Sequence, residues 1–192
     1  MTGRTVLFGG TFDPVHNAHV AIARAALEKF DPRRILFVPA AKPPHKGGGA
    51  HASFEDRAHM LELACAGETR FEVSRIECPV SGQAGPSYSI LTIEKLLAAG
   101  EGPLYFLIGA DAFADIRSWY RWQDVLRLVE FVVVTRPGAS YEAPAGAVIH
   151  ELDGLSFNES SSGIRSLLSR DNDDVPVPAG VLGYIRARQL YR

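Results

Sequence analysis

Gly9 and Gly10 separate an apolar run from a helical one, and this junction constrains the fold more than any other stretch. Before them, Arg4-Thr5-Val6-Leu7-Phe8 is short, apolar and β-prone. After them, Val20, Ala23, Leu27 and Phe30 recur at a helical period. The order is therefore strand, glycine-rich turn, helix. The first backbone N–H groups of a helix have no intrahelical partner, and with the helix dipole they favour an anion. Glycines at the turn would let a bulky phosphate approach the main chain. His16 and His19 sit at the helix mouth, where each ring can donate a hydrogen bond to a phosphate oxygen and carry charge near neutrality.

The alternation continues along the chain. Residues 33–39 form a second strand, apolar enough to be buried on both faces. Residues 40–52 are a loop marked by Pro43-Pro44 and Gly47-Gly48-Gly49, with Lys42, His45 and Lys46 as a small basic cluster. Ser53, with Asp56 three residues on, predicts an N-cap and a helix reaching Cys65. Further strands are expected over residues 71–76, 104–108, 131–135 and 147–152. Further helices are expected over residues 89–99, 122–128, 162–169 and 178–190. Strands alternating with helices imply an α/β fold, a doubly wound, mostly parallel sheet with helices on both faces. One domain is expected to span residues 1–192.

The chain has 192 residues, 46% of them hydrophobic and 22% charged, which suits a soluble globule with a sizeable core. Its formal net charge of −2 argues against a general polyanion binder, so no nucleic-acid partner is expected and any phosphate site must be local. Cys65 and Cys78 lack a metal-type spacing, and a reduced, cytoplasmic setting is the simplest expectation. No signal-peptide pattern follows Met1 and no apolar run is long enough to span a bilayer, so no membrane partner is expected. Oligomeric state is left open.

The stretch Gly9-Gly10-Thr11-Phe12-Asp13-Pro14-Val15-His16-Asn17-Ala18-His19 resembles the nucleotidyltransferase signature. Other blocks follow in that superfamily's order: Lys42-Pro43-Pro44-His45-Lys46, Ser87-Tyr88-Ser89, Gly109-Ala110-Asp111-Ala112-Phe113, Ser118-Trp119-Tyr120-Arg121-Trp122, Arg136-Pro137-Gly138 and Ser160-Ser161-Ser162-Gly163-Ile164-Arg165. Together they resemble the bacterial nicotinate-nucleotide adenylyltransferases, which join nicotinate mononucleotide to the AMP part of ATP. The first and last blocks alone indicate only the superfamily; the middle blocks narrow it. Two positions depart from the pattern. Ala18 replaces a glycine and adds a methyl at a close-packed turn, while Ser162 replaces a threonine and keeps its hydroxyl.

The resemblance implies a Rossmann-like nucleotidyltransferase fold, with helices from about residue 162 completing the ATP site. It implies direct in-line attack of the mononucleotide phosphate on the α-phosphorus of ATP, without a covalent intermediate. The attacking oxygen is already ionised, so alignment and charge neutralisation are the catalytic tasks. His16 and His19 are the implied catalytic residues. ATP is expected on Gly9, Gly10, Thr11, Phe12, His16, His19, Ser160, Ser161, Ser162 and Arg165. The mononucleotide is expected on Thr11, Lys46, Ser89, Asp111, Trp119, Tyr120 and Arg136, with Trp119 stacked on the pyridine. Mg2+ is the expected cofactor, held mainly by ATP's own phosphates, because no third Cys or His at ligand spacing joins His16 and His19. No side-chain metal ligand is expected.

Local sequence keeps other readings open. Asp111 suits a helix cap as well as a ribose, and a serine-rich helix start suits ordinary capping. Trp122 reads as a packing residue, and Arg136 as a solvated loop cation. Nicotinamide mononucleotide or phosphopantetheine adenylyl transfer are alternative activities, and a non-catalytic nucleotide-binding regulatory module is an alternative class.

Overall fold

The computed structural model describes residues 3–43, 49–79, 85–135 and 141–192. Six strands form a single sheet in the order β3-β2-β1-β4-β5-β6. They are β1 (Thr5–Gly10), β2 (Arg34–Pro39), β3 (Phe71–Val73), β4 (Leu104–Gly109), β5 (Val129–Val134) and β6 (Ile149–Leu152). Every neighbouring pair is parallel. The helices are α1 (Asn17–Phe30), α2 (Phe54–Cys65), α3 (Ser89–Ala98), α4 (Ala110–Ala114), α5 (Trp122–Leu128), α6 (Ser161–Leu168) and α7 (Ala179–Ala187).

Strand periodicity splits the core in two. Val6 and Phe8 of β1 join one cluster with Ala23 and Leu27 of α1, Met60 and Leu61 of α2, Ile164 of α6 and Val181 of α7. Leu7 joins the other, with Ile90 and Ile93 of α3 and Val125 of α5. Helices therefore cover both faces, as parallel strands require. The chain first builds outward from β1 to β2 and β3, then returns to place β4 on the other side of β1. That reversal leaves a crevice at the carboxyl ends of β1 and β4, where open α/β sheets bind ligands.

Local chemistry sets several element bounds. Ser53 caps α2 as expected, its hydroxyl accepting from the Asp56 N–H at 3.0 Å. The glycine pair belongs to β1 and does not form a turn: Gly9 and Gly10 lie opposite Val38 and Pro39, and Ala40 N donates to Gly10 O at 2.8 Å. The turn comes after them, at residues 11–16. β3 is shorter than the expected 71–76, because Ser74 N makes a last bond to Phe37 O and the chain then turns, Cys78 N donating to Arg75 O. β5 begins at Val129, earlier than expected, and β6 only at Ile149. α4 and a 3₁₀ turn at Ile116–Ser118 were not expected from the sequence. Among the described residues, no helix is long and apolar enough to cross a membrane.

Candidate active site

Two cavities open at the crevice. The first, about 300 Å3, is lined by Phe8, Gly9, Gly10 and Thr11 of the β1 end, by Ser87, Tyr88 and Ser89 at the start of α3, and by Ser118, Trp119 and Tyr120. The second, about 190 Å3, is lined by His16, by Ala18 and His19 of α1, by Gly109, Ala110 and Asp111, and by Phe157 and Glu159. Phe8 and Gly109 line both, so the cavities meet across the ends of β1 and β4.

His16 is the N-cap of α1 and His19 lies one turn in. Their rings lie close and tilted, centroids 3.8 Å apart at 38°. The His16 backbone N–H donates to His19 Nδ1 at 3.2 Å. A neutral imidazole that accepts at Nδ1 carries its proton on Nε2, so His19 is a donor at Nε2. His16 Nδ1 is buried and has no hydrogen-bond partner. Burial pushes the His16 ring down to about 4, against a smaller upward pull from the Glu159 carboxylate. Burial, and then the neighbouring His16 ring, hold His19 well below the ordinary histidine range. The unliganded pair is therefore neutral at neutral pH. This corrects the expectation of charge there, and the cause is desolvation inside the turn.

Phe12 explains how that turn is built. It has a positive φ of 49° and is 2% exposed. Its ring packs against Phe8 and Phe37 and lies edge-on to His19 at 5.0 Å. A Cβ on Gly10 would sit 2.9 Å from that ring, so glycine is needed there for Phe12. Gly10 thus serves the packing of Phe12 while also lining the first cavity. Phe12 likewise braces His19 and lines neither cavity.

Three side chains from two helices, α2 and α6, hold the carbonyls of the turn. Arg57, 1% exposed on α2, donates to Thr11 O at 2.7 Å and to Ala52 O at 3.3 Å. Arg165 donates to Asp13 O at 2.6 Å, and Ser161 donates to Pro14 O at 3.0 Å. The Asp13 carboxylate, 1% exposed, accepts from His51 N (2.8 Å), Ala52 N (3.1 Å) and the Tyr191 hydroxyl (2.8 Å). Burial pushes its carboxyl up, but these donors and the Arg165 charge outweigh burial and hold it below the usual range.

The chain matches the cytidylyltransferase-like family over residues 7–167. It is 52% identical over 191 residues to a protein of Solibacter usitatus named "Probable nicotinate-nucleotide adenylyltransferase", covering 98% of this chain and 99% of that one. A protein of the same name from Geobacillus kaustophilus is 40% identical over 192 residues, covering 98% and 86%. The chain belongs to the nicotinate-nucleotide adenylyltransferase family. The Plasmodium falciparum nicotinic acid mononucleotide adenylyltransferase complexed with NaAD shares its fold, with a TM-score of 0.78 over 98% of this chain and 97% of that one at 18% identity.

The residues that the family resemblance singles out fall into separate groups. Gly9, Gly10, Thr11, Ser89, Trp119 and Tyr120 line the first cavity. His16 and His19 line the second, and so does Asp111, which was expected beside the mononucleotide. The methyl of Ala18 forms part of that second wall. Ser162 and Arg165 line a separate groove with His51, Tyr191 and Arg192. Ser160 caps α6, its hydroxyl accepting from Gly163 N at 3.1 Å and lying 3.2 Å from that of Ser162. Trp122 packs against the α3 and α5 cluster. Lys46 and Arg136 lie outside the described residues.

Asp13, Arg57, Glu159 and Tyr191 were not singled out from the sequence. Asp13 stands inside the signature, and its spacing between Phe12 and Pro14 was the available signal. Glu159 directly precedes the serine block. Nothing in the local pattern marks Arg57 or Tyr191.

Proposed function

We propose that this chain transfers the adenylyl group of ATP to nicotinate mononucleotide, giving nicotinate adenine dinucleotide and pyrophosphate, and so acts in NAD biosynthesis in the cytoplasm. The observation that carries this reading is the meeting of an aromatic cavity and a histidine-lined cavity across Phe8 and Gly109. Two substrates placed there would bring an acceptor phosphate and a donor phosphate together at the ends of β1 and β4.

The aromatic cavity suits the pyridine mononucleotide. Trp119 is half-buried, and Phe106 braces it edge-on at 5.7 Å and 66°, giving a rigid surface for an aromatic ring. Tyr88 and Tyr120 pack against each other with centroids 4.7 Å apart. α3 begins at Ser89 with no side-chain cap, so its first N–H groups are available to a carboxylate. Lys46 and Arg136 are assigned to this substrate on the family resemblance alone.

The histidine cavity suits the nucleotide. In the transfer, an ionised mononucleotide oxygen forms a bond to the α-phosphorus, the bond to the bridging oxygen breaks, and its electrons leave on pyrophosphate. No base is required. His19 donates from Nε2 to the reacting phosphate, and His16 lies close beside it. Asp111 is assigned on the family resemblance to the ribose hydroxyls of the mononucleotide, reaching it from the second cavity where the two cavities meet. Ser160, Ser161, Ser162 and Arg165 are assigned to the ATP side, with Ser161 and Arg165 acting through the turn they hold.

Among the described residues, no group of three or more His, Cys, Asp or Glu is placed to hold a metal ion. Asp111 and Glu159 put two carboxylates on the histidine cavity. That donor set fits a hard divalent cation that arrives with the nucleotide and keeps phosphate and water ligands. We therefore assign Mg2+ to ATP's phosphates, where it would neutralise charge on the triphosphate.

A pyrophosphate-release assay with ATP and each candidate acceptor tests the reading. Release is expected with nicotinate mononucleotide and not with phosphopantetheine. A folded protein that releases none with any acceptor would instead be a binding module.

A further inference from the structure

We propose that Glu77 is a positioning residue for the mononucleotide, its carboxylate clipping the loop after β2 to α3 and so setting the width of the aromatic cavity. The proposal rests on that cavity being the mononucleotide site.

Glu77 is half-buried and lines the cavity wall. One carboxylate oxygen accepts from the Ala41 N–H at 3.2 Å. The other accepts from the Thr92 hydroxyl at 2.5 Å. Ala41 follows β2, while Thr92 is 5% exposed on α3, one turn past Ser89. The carboxylate thus ties a loop to a helix, and both line the cavity. A second tie lies beside it: Lys42 N donates to the Ser87 hydroxyl, and Ser87 N donates to Lys42 O, both at 2.9 Å. Both tied segments line the cavity, Ser87, Tyr88 and Ser89 from the start of α3 and Ala40 and Pro43 from the loop. β2 and α3 meet through side chains, Leu36 and Val38 sharing a core cluster with Ile90 and Ile93, and the main chain of the loop beyond β2 is held to the α3 start by these polar ties.

The charge of Glu77 has the wrong sign to attract this ligand. A carboxylate facing a cavity that takes an anionic mononucleotide opposes binding. What the site gains from Glu77 is two lone-pair acceptors in one rigid group. Loss of that clip leaves the loop held to the α3 start by the Lys42–Ser87 pair alone, so the cavity width is less fixed and apparent affinity falls.

The two roles separate by substitution. Glu77→Gln removes the charge and keeps the clip: its amide oxygen accepts from Ala41 N, and its NH2 donates to the Thr92 oxygen. Glu77→Ala removes both. Thr92→Val removes one anchor at nearly constant volume, at a residue that does not line the aromatic cavity. Trp119→Ala serves as the control for the cavity itself. KM for both substrates is measured in all four folded variants. Glu77→Ala and Thr92→Val are expected to raise KM for nicotinate mononucleotide by about tenfold, equivalent to ~1.4 kcal/mol. Their KM for ATP should stay within about twofold, a shift of ~0.4 kcal/mol. Glu77→Gln should bind the mononucleotide at least as well as wild type. If Trp119→Ala raises the mononucleotide KM and neither Glu77→Ala nor Thr92→Val does, the clip is overturned and the cavity assignment stands. If Trp119→Ala leaves it unchanged, the cavity assignment fails and the clip with it. A Glu77→Gln variant as weak as Glu77→Ala would assign the effect to charge and overturn the clip.

Discussion

The backbone N–H of His16 donates to Nδ1 of His19, and this one bond decides which nitrogen His19 presents to a ligand. The bond occupies Nδ1 with a main-chain donor, so the proton stays on Nε2. Phe12 and Phe8 fix the ring from one side and His16 from the other, at 5.0, 6.0 and 3.8 Å. A neutral donor held in a desolvated site needs no reorganisation as charge moves across the phosphates.

His19→Ala is therefore expected to lower kcat by about a hundredfold, the effect of ~3 kcal/mol of lost transition-state stabilisation. The fold should survive, since Phe8 and Phe12 keep their own contact at 5.5 Å. Steady-state kinetics with circular dichroism on the same sample checks both. Near wild-type turnover would remove His19 from the mechanism.

Stability of the unliganded protein should fall as the pH drops from 6.5 to about 4. Above pH 6.5 the His16 ring is neutral in native and unfolded chains alike and adds no pH dependence. Below that, the unfolded chain takes up a proton that the native ring refuses until about pH 4, a loss of about 3 kcal/mol. His19 acts in the same direction. Asp13, whose carboxyl is lowered from 3.8, loses its contribution only below this window. Urea unfolding across the window, repeated on His16→Asn, checks this. An unchanged slope in the variant would show that His16 is not the titrating group.

Tyr191→Phe removes one of three donors to the buried Asp13 carboxylate and should cost about 1–2 kcal/mol of stability. Asp13→Asn should cost more, because its NH2 would meet main-chain N–H donors. Thermal unfolding of the two variants side by side tests the order. A Tyr191→Phe variant as stable as wild type would mean that the hydroxyl bond contributes nothing.

Much of the architecture was legible because it follows from pattern. The α1 stripe at Val20, Ala23, Leu27 and Phe30 is the buried stripe. The apolar run of β2 is buried along its length as expected. Of the signature blocks, Thr11 follows β1 and Asp111 follows β4, whereas Ser162 and Arg165 line a separate groove, a separation that block order along the chain does not reveal. Arg57 was not legible. It reads as an ordinary helical surface residue, yet it is 1% exposed and serves main-chain carbonyls, which leave no mark in a side-chain pattern. The glycine pair misled for a related reason. Gly10 suggested a turn, but its lack of a Cβ makes room for Phe12, a contact set by the fold. The charge state of the histidines was also hidden, since desolvation depends on what surrounds the rings.

The central claim is that the aromatic cavity holds nicotinate mononucleotide while ATP delivers its adenylyl group from the histidine cavity. Main-chain donors at the open start of α3 can satisfy both oxygens of a carboxylate, whereas an amide NH2 would set donor against donor. The most direct measurement is kcat/KM for nicotinate and nicotinamide mononucleotides at saturating ATP. A preference for the acid of at least ~100-fold is expected, on the order of 3 kcal/mol. Equal values for acid and amide would contradict the account.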